Sequence, residues 1–66
     1  MDNYTLEEIT ALCKEQIKIL RKNDSSRCAE MQRKYDDIKG SIGSTKNLKL
    51  ANLYHTLRRI NREYNT

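Results

Sequence analysis

The amino-acid sequence predicts an all-α fold, a small antiparallel three-helix bundle, on three observations. Apolar residues recur at alternating steps of three and four through three successive stretches. Nothing alternates with period two as a strand would, and the chain's only glycines, Gly40 and Gly43, stand together between the second and third stretches. The expected helices cover residues 6–22, 25–39 and 45–64 of one domain spanning residues 1–66.

The first helix has the best-specified start. Thr5 precedes Glu8 by three residues, the spacing of a capping box in which each side chain accepts from the other residue's backbone N–H. Tyr4 and Ile9 stand at the positions of a hydrophobic staple. Leu6, Ile9, Cys13, Ile17 and Leu20 then line one face, and Leu12 and Ile19 widen it sideways. An arc that broad wants more than one neighbour, and a homodimer through the Leu12 and Ile19 flank is one way to supply it.

Asn23, Asp24, Ser25 and Ser26 follow. Their side chains compete for backbone hydrogen bonds in a helix interior and make good N-caps, so a break is expected here. No glycine or proline enforces it, and Cys28, Met31, Tyr35 and Ile38 continue the first stripe in phase. The alternative is therefore a two-helix hairpin with a long first helix of about 50 Å, dimerising into a helical bundle. Polar Asp24 on the stripe favours the break, as does the bare apolar flank that a half-covered long helix would expose.

Gly40 to Ser44 is the clear loop. Gly40 suits the left-handed position past a helix end, Lys39 suits the last turn, and Ser44 or Thr45 suits the next N-cap. Ile42 is expected to tuck back onto the core. The tetrad Gly40-Ser41-Ile42-Gly43 matches the bare glycine pattern of a KH-type clamp, but no strands flank it, so a plain helix-connecting turn is expected. In the third helix Leu50, Leu53, Leu57, Ile60 and Tyr64 form the expected core face, and Asn65 and Thr66 should fray. At about 100° per residue, His55, Arg58, Arg59 and Arg62 fall on the opposite side.

Charge singles out the same helix. Residues 1–43 carry eight Lys/Arg and eight Asp/Glu, whereas residues 44–66 carry Lys46, Lys49, Arg58, Arg59 and Arg62 against Glu63 alone. The whole excess of +4 therefore sits in the last stretch. Clustered cations imply an anionic partner, and His55, Arg58, Arg59, Arg62, Lys46 and Lys49 are the candidate partner-binding residues. An acidic protein surface is the first expectation and nucleic acid the second. Helix, short turn and basic helix is the outline of a helix-turn-helix reader, but the leading turns of this helix present Leu48 and Ala51 rather than a base-reading set.

No chemistry-bearing constellation accompanies this. Cys13 and Cys28 lie on the apolar stripe without metal-ligand spacing, and His55 is the chain's one histidine. The carboxylates pair along helix surfaces with bases three or four positions on, as Glu15 does with Lys18. No catalytic, cofactor-binding or metal-binding residue is assigned, and an enzyme is not expected. The first residues lack the basic start and apolar stretch of a signal peptide, no apolar run approaches a membrane span, and cytoplasmic residence is the default expectation. The reading is a small non-enzymatic regulatory or inhibitory protein that binds another protein through helix surfaces, of a size that suits a phage or mobile element. The alternative is a small DNA- or RNA-binding regulator.

Overall fold

The computed structural model describes residues 5–64 and shows three helices packed against one another: α1 (Leu6–Asn23), α2 (Ser25–Lys39) and α3 (Gly43–Tyr64). Among the described residues there is no strand. The capping box forms as expected. The Thr5 hydroxyl accepts from the Glu8 N–H at 3.1 Å, and the Thr5 N–H donates to Glu8 Oε1 at 3.0 Å. The expected staple partner Tyr4 lies outside the described residues, as do Asn65 and Thr66.

The break between α1 and α2 takes a single residue. Asp24 adopts an extended backbone, its N–H donates to Leu20 O at 2.7 Å to close α1, and its Oδ1 accepts from the Arg27 N–H at 3.1 Å to cap α2. One carboxylate residue thus ends one helix and starts the next, and the long continuous first helix does not form. The in-phase apolar stripe survives the break because so little chain is spent on it.

Asp24 has a third role. The Tyr64 hydroxyl donates to its Oδ2 at 2.6 Å, and Arg27 Nη1 lies 3.9 Å from Glu63 Oε1, so the turn is clipped to the last turn of α3. The Tyr64 hydroxyl and then the Arg27 N–H hold the Asp24 carboxyl below the ordinary carboxylate range, and the Thr5 N–H and hydroxyl do the same for Glu8. Because both values are depressed on folding, the unfolded chain takes up protons first as pH falls. The stabilisation is complete above the ordinary carboxylate range and is lost as pH falls through the lower folded-state values. The urea midpoint should therefore drop between about pH 6 and about pH 2, and drop less in Asp24→Asn, which keeps the hydrogen-bonding shape without the titration. An equal drop in both chains would mean that Asp24 contributes nothing to the pH dependence.

Ile9, Cys13, Ile17 and Leu20 from α1, Cys28, Met31, Tyr35 and Ile38 from α2, and Leu50, Leu53, Leu57 and Ile60 from α3 are all buried. These are the expected stripes, less their end residues: Leu6 is 43% exposed and Tyr64 is 41% exposed. Tyr64 sits at the rim because its hydroxyl reaches Asp24 rather than the core. Two buried residues of α3 were not expected, Tyr54 and Asn61. They share the 4-3-4 spacing Leu50, Tyr54, Leu57, Asn61, a second stripe beside the first that turns toward α1. The cysteines are free and buried. Cys13 Sγ lies 3.4 Å from Leu50 O, and burial pushes its thiol up to about 11, which suits a packing role.

The loop departs from expectation at three points. Gly40 has φ −80° and ψ −10°, ordinary right-handed geometry, and the end of α2 is closed by Gly40 N–H to Asp37 O and Ser41 N–H to Ile38 O. The left-handed residue is Gly43, at φ 69°, where α3 already begins, so Ser44 and Thr45 lie inside the first turn instead of capping it. No atom would meet a Cβ at Gly43, so glycine is required there by the backbone angle and not by space. Ile42, expected on the core, is 84% exposed. A loop this short fixes its direction at Ser41 and Gly43 and leaves no slack to fold Ile42 inward.

Candidate interaction surface on the third helix

Burying Leu50, Leu53, Tyr54, Leu57, Ile60 and Asn61 against α1 and α2 determines which side of α3 faces outward. His55, Arg58, Arg59 and Arg62 are all exposed, as the expected separation of wet and buried faces requires. Leu48, Asn52, His55, Arg59 and Arg62 follow one another at steps of four and three, so they form one outward stripe. Leu48 is 66% exposed on that stripe. The surface therefore changes character along its length, from an apolar leading end to an arginine-rich trailing end.

The cations are individually placed. The Arg58 guanidinium lies 5.9 Å from the centroid of the Tyr54 ring, and the Tyr54 and His55 rings are 5.7 Å apart at 51°. Stacking on a largely buried ring pre-orders the Arg58 side chain and reduces the rotamer freedom it would lose on binding a partner. Arg59 and Arg62 extend the same positive field one turn further on.

Lys46 and Lys49 do not join them. Lys46 is half-buried near the start of α3, and Lys49 lines the groove between α2 and α3 beside Glu30, Lys34 and Asp37. That groove has a mixed rim, with Glu30 and Asp37 as well as Lys34 and Lys49, over a floor of Met31, Ile38 and Leu53. Helical spacing explains the separation: Lys46 precedes Leu50 by four residues and falls toward the packed side, and Lys49 precedes it by one and stays exposed at the edge that faces α2. The flank expected to pair two copies is also reduced, since Leu12 packs against the core and Ile19 is half-buried.

Among the described residues no group of three or more His, Cys, Asp or Glu is placed to hold a metal ion, and no helix is long and apolar enough to cross a membrane. Comparison with known proteins finds no matching family model, no matching curated protein and no matching solved structure.

Proposed function

We propose that this chain is a small non-enzymatic regulator or inhibitor that binds an acidic surface of another protein through the outward face of α3. The observation that carries this reading is the union, on one stripe, of a largely exposed leucine with a histidine and arginines. Protein interfaces combine an apolar contact that excludes water with arginine-rich polar surroundings. Leu48 supplies the apolar contact, and His55, Arg59 and Arg62, with Arg58 beside them, supply the charge. A nucleic-acid backbone matches the charge of this face but not its apolar end, whereas a protein surface matches both. Cytoplasmic action belongs to the same proposal.

The test is recovery of a partner by tagged chain from its native cells. One acidic protein in stoichiometric amount is expected with the wild-type chain, and its loss with Arg59→Glu plus Arg62→Glu and separately with Leu48→Asp. The variants should melt like the wild type, since substitutions at exposed positions usually change stability by no more than about 0.5 kcal/mol. Recovery unaffected by both variants would overturn the reading. Binding of generic duplex that weakens steeply with added salt and requires the same arginines would return the nucleic-acid alternative.

A further inference from the structure

The charges of residues 1–43 cancel when summed along the chain, but folding sorts them. Lys14, Lys18 and Arg21 stand four and three residues apart on one side of α1, and all three line a groove of about 290 Å³ between α1 and α2. Lys39, in the last turn of α2, lines it too. Among the described residues no carboxylate lines this groove. Glu8 and Glu15 of α1 instead edge a separate depression with Ala11 and Leu12. Asp36, the acid next to Tyr35 on α2, accepts from Gln32 Nε2 at 3.2 Å and lines another depression with Arg33 and Asp37.

The floor of the groove is Ile17 and Tyr35, both buried, with the Lys39 ammonium 5.6 Å from the Tyr35 ring centroid. The Gln32 side chain adds an amide to the wall. Four cationic residues lining one concavity, with no carboxylate among the lining residues, give it a positive potential that a bound anion would neutralise. We propose that the α1–α2 groove binds a short chain of linked phosphates, free or as the tail of a nucleotide.

Four features select that chemistry. Four positive charges complement the several negative charges of linked phosphates better than a single phosphate or carboxylate. Lys14 and Arg21 are separated by about 10 Å of helix rise, which suits an extended anion. Lysine meets phosphate as a point charge and arginine as a two-pronged donor, so both side-chain types present are phosphate binders. The volume is near the lower limit of about 300 Å³ for small-molecule sites, which fits the phosphate chain itself and leaves any attached group outside. None of these residues belongs to the α3 surface, so this site stands or falls independently of it.

The experiment is calorimetric titration of the full chain with tripolyphosphate, with ATP, with mixed-sequence duplex DNA, and with sulfate at matched ionic strength. Tripolyphosphate should bind one to one, and the triple variant Lys14→Gln, Lys18→Gln, Arg21→Gln should weaken it on the order of tenfold or more. All three side chains are exposed, so the variant should fold, and its melting temperature without ligand should equal or exceed that of the wild type. Equal affinity for ATP and tripolyphosphate would identify the bare chain as the ligand, and tighter ATP binding would identify a nucleotide. Tripolyphosphate heat no greater than that of sulfate, or affinity unchanged in the triple variant, would overturn the proposal. Duplex DNA binding more tightly per phosphate than tripolyphosphate would overturn it in favour of a nucleic-acid backbone.

Discussion

The Leu57→Ala chain is expected to be largely unfolded at 25 °C. Leu57 is fully buried at the centre of the α3 stripe, within the single cluster to which all three helices contribute. Truncating such a leucine costs about 2.7 to 5 kcal/mol, from lost transfer energy and the cavity left behind. A core of this size supplies only about 3 to 5 kcal/mol in total, so one cavity consumes most of the margin. Leu48→Ala is the matched control, since Leu48 is 66% exposed and its removal creates no cavity. Urea titration followed by circular dichroism should show a cooperative transition for Leu48→Ala and little or none for Leu57→Ala. A Leu57→Ala transition within about 1 kcal/mol of the wild type would mean that α3 is not packed as described.

Asn61→Asp should be nearly as damaging although it changes only one side-chain group. Asn61 is 3% exposed, and its Nδ2 donates to Gln16 O at 2.9 Å and to Gln16 Oε1 at 2.8 Å. A carboxylate of the same shape loses both donated hydrogen bonds and turns a negative oxygen toward two acceptors. Leaving a buried charge unpaired costs about 3 kcal/mol or more. The effect carries its own pH signature. Burial raises the folded-state value of the new carboxyl, so the penalty relative to wild type is full at neutral pH and shrinks as the group protonates on acidification. Among the described residues no group donates to the other amide atom, Asn61 Oδ1, which makes Asn61→Leu a milder change than its polarity suggests. A pH-independent loss in Asn61→Asp would contradict this placement.

Much of the fold is legible in the residues themselves. Thr5 and Glu8 announce the start of α1, and the three-four spacing of the apolar side chains identifies twelve of the thirteen buried apolar residues. Tyr54 is the exception. A tyrosine and an asparagine one step off a leucine stripe look like its edge, and only the approach of α1 makes them interior. Asp24 is readable as a cap but not as the sole connecting residue: its backbone N–H closes α1, its Oδ1 caps α2, and the bond its Oδ2 accepts from Tyr64 is a tertiary contact that local spacing does not show. The left-handed position expected at Gly40 falls at Gly43 because composition shows where flexibility lies and not which residue carries the positive φ.

The α3 arginines are visible because their charge is unbalanced within one contiguous stretch. Lys46 and Lys49 share that stretch but belong to another side of the helix, a distinction that charge counting ignores. The α1–α2 groove is hidden for the converse reason. Its four cations are interspersed along the chain with acids that the fold turns to other faces, so a running sum of zero conceals a local excess.

Whether the outward face of α3 is the docking surface can be decided by site-specific photocrosslinking in the native cell. A photoreactive residue is placed singly at Leu48, at Arg59, and at Lys34 of α2, all exposed positions that leave the core intact. Leu48 and Arg59 should capture the same acidic protein, and Lys34 should not. Capture of that protein from Lys34 with none from Leu48 or Arg59 would place the interface on α2 and contradict the proposal.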